Sequence, residues 1–138
     1  RINAVLTRRV VLALPAYLAW LAERGRRVAL LAYIPDRPEL TSPAARELML
    51  PWTRVLRALR EAGPSAARAI EALIGLPVCA VPPDLRDRLS THWNSAEAGA
   101  MRFPVPCEAC RWRQTCMGVT STYADRWQGE GLSPEAAS

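Results

Sequence analysis

Three of the chain's four cysteines fall within ten positions, in the stretch CEACRWRQTCMG from Cys107 to Gly118. Cys107 and Cys110 form a CxxC pair, the spacing that lets two thiolates reach one metal centre from a single turn. Cys116 follows six positions after Cys110, so the chain between them must loop around whatever is bound and return. Gly118, just afterwards, lets the backbone pass close. Three thiolates leave one ligand missing. Cys79 in LPVCAVP, twenty-eight residues upstream of Cys107, is the only other thiol, and His92, the only histidine, is its rival. Incidental buried cysteines are the bland alternative, and three of them so close together in a cysteine-poor chain argue against it. Zinc suits four thiolates, or three with His92, although zinc ribbons usually present two CxxC-like knuckles where this chain has one. An iron–sulfur cluster also takes four thiolates and tolerates uneven spacing. Spacing alone leaves both open.

One histidine cannot supply a Ser-His-Asp set or a helix-borne pair of histidine ligands, and no glycine-rich phosphate loop is present. Trp112, Tyr123 and Trp127 surround the cysteine stretch and are candidates to shield a metal site from water. Arg111 and Arg113 are placed to offset the negative charge of bound thiolates.

Half of the 138 residues are apolar, enough for a real core in one ordinary domain. The 18 basic residues are all arginine and the net charge is +5, which admits a partner carrying phosphates or carboxylates. The arginines are spread along the chain, with local clusters only in ERGRR (23 to 27) and CRWR (110 to 113). Solvated helix faces explain them better than a nucleic-acid patch. Few, unevenly spaced cysteines point to metal ligands in a reducing cytoplasm rather than to disulfides. Arg8 and Arg9 precede a thirteen-residue apolar run, as in a secretory signal. A strand-like segment precedes them, however, and the run is too short for the roughly twenty residues that span a bilayer. A buried helix is the preferred reading. The chain starts at Arg1, without methionine and within a strand-like segment, and is expected to be a piece of a longer protein.

The elements that must position the thiols begin with a strand over Ile2 to Thr7 and a helix over Val10 to Arg24, stopped by Gly25. Pro15 suggests a helix start nearer Leu14, or a kink. The run RRVALLAYIPDRP (26 to 38) reads as a strand covered on both faces. Residues 41 to 63 read as one helix capped by Ser42, with Pro43 in its first turn. On it, Trp52, Val55, Leu56 and Leu59 face the core, and Arg54, Arg57 and Arg60 face solvent. A further strand is expected over Arg68 to Leu73, then a loop carrying Cys79, a short helix over 84 to 93 capped by Asp84, and a last helix over Val119 to Trp127. The tail GLSPEAAS reads as frayed. A parallel sheet flanked by helices is implied.

This order of features, with Pro77 and Cys79 as P-x-C, then C-x2-C-x5-C-x-G, Tyr123 and an L-x-P ending at Pro134, resembles the C-terminal half of radical S-adenosylmethionine (SAM) enzymes. The likeness is to members with a C-terminal auxiliary cluster of the SPASM or twitch type. The resemblance implies an α/β fold in which residues 1 to 78 are the last βα units of a partial (β/α)6, TIM-like barrel and 79 to 138 a small cluster-binding extension. It further implies that Cys79, Cys107, Cys110 and Cys116 ligate an auxiliary 4Fe-4S cluster. The C-terminal strand ends would then face SAM and a peptide or small-molecule substrate, with Thr7, Ile34 and Pro35 placed for cofactor contact. In such enzymes auxiliary clusters position substrate or pass electrons, which requires an electron donor. The family's CxxxCxxC, which holds the SAM-cleaving cluster, is absent from these residues, so it is expected upstream, in a missing N-terminal half. Thr120 stands where a fuller SPASM pattern has another cysteine, so one auxiliary cluster is expected. The alternative reading is a zinc-stabilised four-cysteine module using its arginines on nucleic acid or an acidic protein.

Overall fold

In a computed structural model, residues 2–33, 42–90 and 101–136 are described. Strand β1 (Ile2–Leu6) leads directly into α1 (Arg8–Glu23), with Thr7 as the extended residue at the helix N-terminus. α1 runs straight through Pro15 and does not start near Leu14. Its stripe of Val11, Leu14, Leu18 and Leu21 stays in phase across the proline and is buried throughout, which outweighs the hydrogen bond, about 3 kcal/mol with its clash, that an interior proline forfeits. The helix closes in a Schellman motif: Gly25 N–H donates to Ala22 O at 3.1 Å and Arg26 N–H to Leu21 O at 2.9 Å. Gly25 takes the left-handed φ of +59° that this requires.

β2 (Val28–Ala32) is almost wholly buried, as its unbroken apolar run demands. The stretch read as one helix is two, α2 (Pro43–Glu47) and α3 (Trp52–Ala67). Pro51 sits at the break, where its ring and missing N–H prevent a helix from continuing. Trp52, Val55, Leu56 and Leu59 are buried while Arg54, Arg57 and Arg60 are exposed. α3 bends at Gly63 (φ +70°) and carries on past Pro64, so the next strand, β3 (Ile70–Ile74), lies later than Arg68–Leu73. After β3 come a 3-10 turn, Val78–Ala80, and a second, Pro83–Arg88, which stands where the first part of a helix over 84 to 93 is expected; residues 91 to 93 lie outside the described residues. The two-residue β4 (Leu89–Ser90) then pairs with β3.

These four strands form one parallel sheet in the sequential order β1-β2-β3-β4. α1 lies along α3, so both crossover helices cover the same face. Sequential order without reversal means that the carboxyl ends of all four strands open on one side, where such sheets carry their ligands. β1 is an edge strand, with Ile2 and Val5 partly exposed.

The C-terminal part adds an antiparallel hairpin, β5 (Met101–Arg102) with β6 (Val119–Thr120), and α4 (Ser121–Trp127). Thr120 caps α4, its hydroxyl accepting from Tyr123 N–H at 3.2 Å. Val119 and Tyr123 are buried in the same apolar cluster as Leu73, Leu30 and Trp52. Among the described residues, no helix is long and apolar enough to cross a membrane.

Candidate metal centre

The hairpin β5–β6 is the base of the cysteine loop. Pairing of Arg102 with Val119 brings the two ends of residues 103 to 118 together, and the loop between is a series of tight turns. Cys110 N–H donates to Cys107 O at 3.2 Å, Arg113 N–H to Cys110 O at 3.1 Å, and Cys116 N–H to Trp112 O at 2.7 Å. Gly118 returns the chain with φ +80° and lies so close to the Arg102 carbonyl that a Cβ would strike it. No residue with a side chain fits there. Cys79 comes from elsewhere, in the 3-10 turn that leaves the carboxyl end of β3.

All four cysteines nevertheless line one cavity. It is small and partly open, and Val78, Phe103, Trp112, Val119, Leu132 and Pro134 supply most of its apolar wall. The four are half-buried and unpaired by disulfides. Cys116 Sγ accepts two backbone N–H groups, from Val78 at 3.5 Å and Gly118 at 3.4 Å. The Ser133 backbone also hydrogen-bonds to Cys79. Three main-chain donors are thus aimed at sulfur, the kind of outer contact that metal-bound thiolates take.

Electrostatics say what is missing from such a set. Burial, and after it the proximity of the other three thiols, pushes Cys79 up to about 11, against the Ser133 hydrogen bond. Cys107 is raised by burial and then by Cys116 and Cys110, with Arg113 opposing. Four thiolates here repel one another in an apolar wall, and a cationic centre is what reverses that sign. The donor set therefore fits a metal group. Among the described residues, however, no three Cys, His, Asp or Glu side chains stand close enough to hold a single metal ion.

Of the aromatic residues flanking the loop, Trp112 lines the cavity, whereas Tyr123 and Trp127 do not. Tyr123 stacks between Trp52 (5.9 Å) and Trp127 (4.6 Å) in the core. Arg113 lines the site and lies over Phe103 at 4.7 Å. Arg111 instead pairs with Glu135 at 2.5 Å. Thr7 stands at the carboxyl end of β1, its N–H bonded to Val5 O at 2.8 Å and its carbonyl accepting from Val11 at 2.9 Å, and it does not line the thiol cavity. Ile34, Pro35 and His92 lie outside the described residues.

Sequence reasoning missed the tail. Far from being frayed, residues 131 to 136 lie across the cysteine loop: Arg111 N–H donates to Glu135 O at 2.9 Å, and Ala136 forms a β-bridge with Cys110. The Glu135 carboxylate is held down to about 2 by hydrogen bonds from Arg86 and Trp112 and by the charge of Arg111. A lone acid near the CRWR cluster was the only available signal. Comparison of the chain with protein-family models, curated proteins and solved structures gives no match.

Proposed function

We propose that this chain is the C-terminal part of a radical SAM oxidoreductase or maturase, with an auxiliary 4Fe-4S cluster held by Cys79, Cys107, Cys110 and Cys116. The observation that carries the reading is that four thiols from two separated stretches line one apolar cavity. A 4Fe-4S cluster takes four thiolates and tolerates their uneven spacing. The sequential parallel sheet, with Cys79 beyond the carboxyl end of β3, supports a partial (β/α)6 barrel followed by a cluster-binding extension.

When bound, such a cluster supplies an electron relay or a Lewis-acidic anchor for substrate. The chain's own part is to hold and tune it. The Val78 and Gly118 N–H groups stabilise charge on Cys116, the Ser133 backbone does so on Cys79, and Arg113 offsets charge beside Cys107. Leu132, Pro134 and Val119 exclude water. Thr7, at the carboxyl end of β1, is assigned to SAM contact, as are Ile34 and Pro35, which lie outside the described residues. The radical-generating cluster, the remainder of the barrel and most substrate contacts belong to an N-terminal half.

The test is anaerobic purification followed by metal and sulfide analysis. About four iron and four sulfide per chain, with a brown colour lost in Cys116→Ala, supports the reading. A colourless wild type holding one zinc per chain overturns it in favour of a four-cysteine zinc module, whose arginines would then show salt-sensitive binding to nucleic acid or an acidic protein.

A further inference from the structure

The ligand set is split between two stretches of chain, and one side chain touches both. Arg86 follows Cys79 in the Pro83–Arg88 turn, while Arg111 and Trp112 flank Cys110 in the loop. Glu135 meets all three: its Oε1 takes the Arg86 guanidinium, and its Oε2 accepts from Trp112 Nε1 at 3.0 Å and sits 2.5 Å from Arg111 Nη2. Both guanidiniums also lie over the Trp112 ring, at 5.3 and 4.9 Å. An isolated surface ion pair would contribute little. This carboxylate is different, because it sits within a network of two arginines and an indole and its own backbone is laddered to the loop. Two residues before it is Ser133, the backbone donor to Cys79, and on either side of Ser133 are Leu132 and Pro134 of the cavity wall.

We propose that Glu135 is the positioning residue of the thiol cavity: it locks the tail onto both ligand-bearing stretches, holding the Ser133 N–H against Cys79 and Leu132 and Pro134 across the mouth. The proposal rests on the reading that the four thiolates bind a metal group, and it holds for either metal. Glu135 touches no ligand atom, so its effect runs through the tail. The Ser133 backbone that the tail carries is bonded to a ligand sulfur, and loss of such a partner typically weakens metal retention about 10- to 100-fold, while losing an N–H···S bond makes reduction of a cluster harder.

The experiment compares wild type, Glu135→Gln and Glu135→Ala, prepared anaerobically as the whole chain. The readouts are metal per chain, the rate of metal release to a chelator in excess, and the midpoint potential of the bound cluster. Expected are unchanged initial metal content, release faster by about tenfold or more in Glu135→Ala and less in Glu135→Gln, and a lowered potential. A merely structural role would lower the urea midpoint while leaving the potential where it was, and that result overturns the proposal. So does a release rate within about twofold of wild type. If Glu135→Ala fails to fold, Arg86→Gln, which removes one partner of the carboxylate without altering the cavity wall, gives the same readouts with the same criteria. Should the wild type carry zinc, the cluster reading fails, and zinc release from the same variants still decides the role of Glu135.

Discussion

Replacing Gly118 by alanine should disable the cysteine loop, and a second glycine provides its control. Gly118 and Gly25 both have positive φ, +80° and +59°, so an added Cβ costs each about 1–2 kcal/mol. They differ in what the Cβ meets. At Gly25 nothing lies within 4 Å, whereas at Gly118 the Cβ is driven into the carbonyl oxygen of Arg102, with the Arg102 carbon at 3.3 Å and the Phe103 ring at 3.4 Å. That oxygen belongs to β5, which is paired to β6 through Val119, so it yields only if the hairpin shifts. Forcing such a contact adds about 1–3 kcal/mol. The expected total is about 2–5 kcal/mol for Gly118→Ala against about 1–2 kcal/mol for Gly25→Ala.

The shift has a chemical consequence as well, because the Gly118 N–H is one of the two donors to Cys116 Sγ. Urea denaturation of both variants, with metal analysis of each, is the assay. Gly25→Ala should keep wild-type metal content and lose stability modestly, and Gly118→Ala should lose both. Equal midpoints with equal metal content in the two variants would refute the claim that close backbone packing, rather than the dihedral angle alone, explains the glycine after the third cysteine.

Tyr123→Phe removes a hydroxyl that accepts from Trp52 N–H at 3.1 Å and donates to Glu130 O at 3.0 Å. It should cost about 1–3 kcal/mol in urea denaturation, because the α3 N-terminus is left with a buried unpaired donor. The same hydroxyl sets a pH limit. Burial pushes Tyr123 up to about 12 from 10, so its folded form is favoured while neutral. The stability it contributes is complete below pH 10 and is lost as pH rises towards 12, and the gap between wild type and Tyr123→Phe in alkaline denaturation should close over that window. Glu135 works in the opposite sense: held down to about 2 from 4.5, it contributes above pH 4.5 and is lost as pH falls towards 2. Carboxypeptidase trimming of the metal-free chain's tail should therefore be as slow at pH 5 as at pH 7, and faster at both in Glu135→Ala. Cys79→Ser should reduce metal content as severely as Cys110→Ser despite lying outside the loop. Retention of full metal content in Cys79→Ser would remove it from the ligand set.

The loop was legible in the sequence because CxxC spacing and a following glycine are local, and turns of a few residues follow from them. Cys79 was legible by elimination, as the one thiol left. Helix faces were legible too, since Val11, Leu14, Leu18 and Leu21 keep their phase whatever else the chain does. Breaks were harder. Pro15 and Pro51 look alike in the sequence, yet α1 ignores the first and the chain ends α2 before the second. What separates them is whether the buried stripe continues across the proline, and that depends on the sheet underneath. The two-residue β4 carries no periodicity at all and exists because Leu89 and Ser90 run alongside Leu73 and Ile74. Glu135 is the extreme case, since its partner Arg86 is 49 residues away and its small neighbours Ser133, Pro134 and Ala136 read locally as an unstructured end.

That split between local and distant determinants bears on how the site forms. Cys107, Cys110 and Cys116 can be preorganised by the turns of one loop. Cys79 arrives only once β3 has joined the sheet, and the tail arrives only once Arg86, Arg111 and Trp112 stand together. A group held by all four thiolates therefore binds the assembled chain in preference to its parts, and its binding free energy becomes folding free energy. Metal removal should accordingly loosen more than the loop. The β5–β6 hairpin, the tail and the Val78–Ala80 turn share the cavity wall, whereas the α1 stripe against β2 has no part in it. Hydrogen exchange in the metal-free chain should then rise in those three segments and stay slow in α1 and β2, and uniform loosening would show that the sheet and the site are one cooperative unit.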